Sequence, residues 1–199
     1  MKLRTRRVLV ASLAIVGLWQ LGAGMYIHAK AWLAQQLIAN AWSRELQGGH
    51  EVRPWPWADT WPIARLRIPA ADVDLYVLAD ASGRSLAFGP GWLSGSAPLG
   101  STGQAIIAAH RDTHFRFLRD ARSGMRMSLQ TLDGRVLAYE FVAGQVFDAR
   151  TDRIQTEDDY PALVLLTCYP FDALVPGGPL RYAAIATPIA SLTRHQDAG

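Results

Sequence analysis

Leu163-Val164-Leu165-Leu166-Thr167-Cys168 is the stretch on which the reading of this chain turns. It is a short, β-branched and leucine-rich run, the pattern of a buried strand, and it ends in the only cysteine of the 199 residues. Thirteen residues later Arg181 opens a second apolar run, Arg181-Tyr182-Ala183-Ala184-Ile185-Ala186. Upstream, Ala105-Ile106-Ile107-Ala108-Ala109 ends in His110. Three side chains capable of chemistry thus sit at the ends of three expected strands.

Outward from these runs the texture is all-β. From Ile63 on, short apolar segments alternate with Gly, Pro and Asp turn signals. Strands are expected at Ala64–Ile68, Val73–Leu78, Gln104–Ala109, Met125–Thr131, Arg135–Val142, Ala162–Thr167 and Arg181–Thr187. Asp133-Gly134 marks a tight hairpin turn. Leu86 to Gly100 reads as a long connection with a helical turn near Gly91-Trp92-Leu93, and Phe115 to Asp120 as a second helical turn. Gly144 to Tyr160 reads as a polar connection.

If the last two strands pair antiparallel, the end of the first lies beside the start of the second, so Cys168 meets Arg181 at one sheet edge. His110 reaches the same edge if its strand runs parallel to the Cys168 strand. The chemistry of such a cluster is coherent. The thiolate is the attacking form of cysteine. Imidazole can share the thiol proton and deliver it to a leaving amine. Arginine stays cationic and can donate to the oxygen of a carbonyl under attack. Together they suit acyl transfer through a thioester. Each has a bland reading too: a small buried hydrophobe for Cys168, a solvated charge for Arg181, a polar strand terminus for His110. Their joint placement favours function. His114, four residues on, is expected to support the site at best, and Asp112 either orients an imidazole or caps the following turn. His28, His50 and His195 fall in the expected anchor, linker and tail.

The charge distribution removes one class of partner. Of twenty basic residues, Lys2, Arg4, Arg6, Arg7 and Lys30 lie in the first thirty positions, where there is no acid; the rest carries fifteen basic against seventeen acidic residues, a net −2. The basicity belongs to the N-terminus, and without a basic stripe on the domain nucleic acid is not expected as a partner. Val8 to Ile27 is uncharged, and twenty helical residues at ~1.5 Å each span about 30 Å, the thickness of a bilayer core. The basic flank before it favours a cytoplasmic N-terminus. A cleaved signal peptide is the alternative, since Gly22-Ala23-Gly24 offers small residues; the helical pattern that runs straight on past Ile27 favours an uncleaved anchor. The expected layout is a basic flank over 1–7, a transmembrane signal anchor over 8–27, a helical and Pro/Trp-rich linker over 28–62, a catalytic barrel over 63–190 and a tail over 191–199. The linker tryptophans are expected to pack on the domain or sit at the membrane interface.

These residues resemble the sortase family of cysteine transpeptidases. Leu165-Leu166-Thr167-Cys168 fits the family's Leu-x-Thr-Cys, Ala108-Ala109-His110-Arg111-Asp112 fits the small-residue-then-His segment, and Arg181-Tyr182 follows after a short loop, in the order His, Cys, Arg. Ala109 stands where the family often has Gly, and Val164 where it often has Thr. His110-Arg111-Asp112-Thr113-His114-Phe115 and Cys168-Tyr169-Pro170-Phe171-Asp172 are similar to the subgroup of Gram-negative bacteria, which implies a periplasmic domain on the inner membrane. The resemblance implies an eight-stranded β-barrel with short helices behind an N-terminal transmembrane helix. It implies His110, Cys168 and Arg181 as catalytic residues and Thr167 as a substrate-contacting neighbour. The implied substrates are a protein with a C-terminal sorting signal of the Leu-Pro-x-Thr type and an amine acceptor in the cell envelope. No cofactor is expected. Some members bind calcium through acids at the barrel rim; Glu157, Asp158 and Asp159 could form such a cluster, but a solvated loop is favoured over a metal site.

Three rivals are weighed. A hydrolytic cysteine peptidase would use the same thioester. An L,D-transpeptidase would have Gly before its cysteine and Arg two residues after, where this chain has Thr167 and Pro170. A non-catalytic, membrane-tethered peptide-binding barrel would tolerate loss of the Cys168 thiol.

Overall fold

In the computed structural model, residues 3–152, 161–173, 175 and 177–189 are described. The acidic run Glu157-Asp158-Asp159, the tail from Ser191 and His195 lie outside them. The chain divides into two units, residues 1–37 and 38–199.

One helix, α1, covers Leu3–Leu46, so the expected anchor and the helical part of the expected linker form one continuous element. It holds an apolar window with a mean hydropathy of 1.6, none of it buried, and is long and apolar enough to cross a membrane. Its last turns belong to the second unit. Ile38, Ala41, Trp42 and Glu45 recur at helical spacing and are buried there, with the Trp42 ring 6.2 Å from that of Tyr76. Gly48, at φ 94°, ends the helix. The Pro/Trp-rich segment that follows is irregular, as expected, and Trp55 packs edge-on against Phe88.

The second unit is a closed eight-stranded barrel. Its strands are β1 (Pro62–Ile68), β2 (Val73–Leu78), β3 (Gly91–Trp92), β4 (Gln104–Ala108), β5 (Arg126–Thr131), β6 (Val136–Asp148), β7 (Ala162–Cys168) and β8 (Leu180–Pro188). They close in the order β1-β2-β3-β4-β7-β8-β6-β5. β4 runs parallel to β7, and β7 antiparallel to β8, the two conditions the sequence argument needed. Alternate residues fill the interior: Ala64, Leu66 and Ile68 from β1, Ala105 and Ile107 from β4, Leu163 and Leu165 from β7, Ala184 and Ala186 from β8. Burial of this interior is the main source of the barrel's stability.

Two expectations need correction. The segment at Gly91 is not a helical turn but the short strand β3; the 3₁₀ turn lies earlier, at Ser85–Ala87. A Cβ on Gly91 would stand 2.0 Å from the carbonyl oxygen of Asp80, so a close backbone approach decides this residue, and glycine carries no strand propensity to read. β6 does not end at Val142 but continues to Asp148, paired only with β8 past a bulge between Phe141 and Ala143. Residues 142–146 are all exposed there, which erases the apolar alternation expected of a half-buried strand. The Asp133-Gly134 hairpin forms as expected, with Gly134 at φ 81°. The hydroxyl of Thr131 and the guanidinium of Arg135 hold the Asp133 carboxyl down at about 2.

Candidate active site

Strand parity and register bring the three expected residues together. Cys168 is the direct cross-strand partner of Arg181. Ala108 is level with Leu166, and the Ala109 N–H donates to the Leu166 carbonyl at 3.1 Å, which carries the parallel register one step beyond β4. Two residues past Ala108 and Leu166 stand His110 and Cys168. Cys168 and Arg181 therefore stand side by side on strands roughly 4.8 Å apart, and His110 continues the row just past the end of β4. They also share a face. Leu163 and Leu165 point into the barrel, whereas Val164 and Leu166 belong to an outer apolar cluster with Ile106, Ala183 and Ile185. Cys168, Arg181 and His110 have the parity of that outer cluster. The row thus stands at the end of an apolar floor on the outside of β4, β7 and β8.

Each side chain is held differently. Cys168 is a free, half-buried thiol. His110 is exposed, and its backbone carbonyl accepts the Phe115 N–H at 3.0 Å, closing the loop after β4 over a fully buried Phe115. The Nη1 of Arg181 donates to the carbonyls of Gly178 and Leu180, at 2.7 and 2.9 Å. Its Nη2 and Nε have no hydrogen-bond partner among the described residues, so donors remain for a developing oxyanion.

Thr167, expected to touch substrate, takes the opposite parity. It is 2% exposed, and its hydroxyl donates to the Ala109 carbonyl at 2.8 Å. His114 is half-buried beside His110; burial first, and the nearby His110 charge second, lower its pKa below the usual imidazole value. It lines a groove of about 510 Å³ with Thr113, Arg116, Asp120 and the β1–β2 turn. Asp112 points its carboxylate at the Arg111 Nε, 3.2 Å away. Arg111 itself is buried and was not among the expected site residues. An arginine beside a strand end reads from sequence as a solvated charge, and nothing in its spacing marks it as buried.

A thiol, an imidazole and a guanidinium in one row at the end of an apolar floor can form and resolve a thioester. The Sortase domain profile matches residues 66–189, more than half of the chain and most of the barrel. The chain belongs to the sortase family. Sortase D of Bacillus subtilis (strain 168) is 30% identical over 118 residues, which cover 59% of this chain and 59% of that protein. Sortase A from Corynebacterium diphtheriae has a similar solved structure, with a TM-score of 0.58 at 26% identity; the match covers 67% of this sortase and 63% of that chain. A Clostridium perfringens Sortase D5 transpeptidase superposes with a TM-score of 0.61, covering 79% of this chain and 98% of that one; at 19% identity it supports the barrel fold alone.

Proposed function

We propose that this sortase is a membrane-anchored transpeptidase acting on a Leu-Pro-x-Thr-type sorting signal near the C-terminus of a protein. The observation that carries this is the Cys168–Arg181 cross-strand pair with His110 on the adjoining chain, all on the outer face of the barrel. The substrate peptide lies on the apolar floor of β4, β7 and β8. The Cys168 thiolate attacks the carbonyl carbon of the Thr-like residue, and Arg181 donates to the oxygen as it becomes negative. The C–N bond breaks while His110, as imidazolium, protonates the departing amine, leaving the acyl group on sulfur. A primary amine of the cell envelope then attacks the thioester, gives its proton to His110 and releases the thiolate. His110 is exposed, so its imidazole is open to that amine. The three side chains suffice for these steps without a cofactor.

The helix runs unbroken from Leu3 to Leu46, which favours an uncleaved anchor, and the basic residues at its start favour a domain on the far side of the cytoplasmic membrane. The Gram-negative setting, and hence a periplasmic domain, rests on the His110–Phe115 and Cys168–Asp172 segments.

Incubation of the protein with a library of such peptides, with and without a primary amine, tests the activity. Amine-joined acyl product shows transfer. Product cleaved by water alone, whatever amine is supplied, would make the protein a peptidase.

A further inference from the structure

The β7–β8 loop begins next to Cys168, and its first residues are held from outside its own strands. Arg111, one residue after His110, is 8% exposed. Its Nη1 donates to the Pro170 carbonyl at 2.5 Å and its Nη2 to the Ala173 carbonyl at 2.7 Å. Its Nε faces the Asp112 carboxylate, itself mostly exposed. A guanidinium removed from water is costly unless its donors are satisfied. Here all three nitrogens find acceptors, and two of those acceptors lie on the loop that leaves the nucleophile. The far end of the same loop is gripped by Arg181 through Gly178 and Leu180. Arginine is suited to this because its rigid planar fork fixes two carbonyls at once; a lysine ammonium cannot reproduce that geometry.

We infer that Arg111 is a positioning residue: it ties the strand end bearing His110 to the loop that starts at Cys168, and so sets the separation of imidazole and thiol. It does not touch substrate, since it is buried and each of its three nitrogens already faces an acceptor within the protein. The inference rests on reading Cys168 and His110 as the reacting pair. The β4 and β7 ladder stops at Ala109, and from there on the only hydrogen bonds between the two chains among the described residues are those of the Thr167 hydroxyl and the Arg111 fork.

The test uses the full chain in detergent, as wild type, Arg111→Lys, Arg111→Ala and His110→Ala. Two readouts are needed: steady-state kinetics with a Leu-Pro-x-Thr peptide and triglycine, and the pH dependence of Cys168 alkylation by iodoacetamide. Near-ultraviolet circular dichroism identifies folded variants, and Arg111→Lys decides if Arg111→Ala does not fold. The expected result for folded Arg111→Lys is a kcat lower by on the order of 10- to 100-fold with KM within about threefold, because a misplaced pair slows the step and leaves peptide binding intact. Its alkylation profile moves toward that of His110→Ala. Wild-type kcat and alkylation profile in folded Arg111→Lys would overturn the inference. So would a kcat loss with an unmoved alkylation profile, which a merely structural role would give. If the wild-type and His110→Ala profiles coincide, the reacting-pair reading fails instead, and this inference falls with it.

Discussion

Replacing Thr167 with valine removes one hydroxyl at the seam on which the site depends. Valine has nearly the shape of threonine, so packing inside the barrel is kept. What is lost is the 2.8 Å bond to the Ala109 carbonyl, buried and joining residues 58 apart in sequence. Removing one partner of a buried bond leaves the carbonyl unsatisfied, at a cost of about 1–3 kcal/mol. For a chain of this size each kcal/mol lowers the melting temperature by about 2–4 °C, so the variant is expected to melt roughly 2–12 °C below wild type. Ala109 immediately precedes His110, so kcat is expected to fall while KM for the peptide stays near its wild-type value. Thermal denaturation followed by near-ultraviolet circular dichroism, with steady-state kinetics alongside, checks both. An unchanged melting temperature with a raised KM would refute the reasoning, because it would mean that the hydroxyl serves the substrate rather than the seam.

Other outcomes follow from the same geometry. His110→Ala is expected to abolish thioester formation, whereas His114→Ala retains it; equal loss in both, measured by intact mass, would contradict the assignment of the proton carrier. Arg181→Ala is expected to lower kcat by on the order of 10²–10³-fold, as for removal of one oxyanion donor, and a change confined to KM would argue against that role. Gly144→Ala would place a Cβ 2.0 Å from the Tyr182 hydroxyl, so Tyr182 must shift, at about 1–3 kcal/mol of stability; a wild-type urea midpoint would contradict this. The lowered pKa of His114 gives a pH test. Below the unfolded imidazole value of about 6.5 the unfolded chain takes up a proton that the folded site resists, so stability falls as the pH drops from there toward the folded value. In His114→Gln that part of the acid destabilisation is expected to vanish, and urea titrations that stay parallel to wild type at each pH would show it was never there.

What could be read from the sequence follows physical rules of unequal reach. β1, β2, β4, β5, β7 and β8 were legible because their residues alternate or run apolar against a buried face. β3 was not, since a two-residue strand built on Gly91 answers to the nearness of the Asp80 carbonyl. The outer half of β6 was not, because no core lies beneath residues 142–146. Cys168, His110 and Arg181 could be brought to one edge on a parallel and an antiparallel pairing alone, and both pairings are present. Their shared outer face needed only parity. The roles of Thr167 and Arg111 were hidden for a common reason: each side chain bonds a backbone carbonyl about sixty residues away in sequence, and residue type says nothing about where such a carbonyl will be.

The central claim is a thioester on Cys168. The most direct measurement is the intact mass of the full chain, quenched in acid after incubation with a Leu-Pro-x-Thr-type peptide, in wild type and in Cys168→Ala. The account predicts an adduct equal to the acyl fragment of the peptide, released by hydroxylamine and absent from Cys168→Ala. Peptide cleaved equally by both proteins, with no adduct on either, would contradict it.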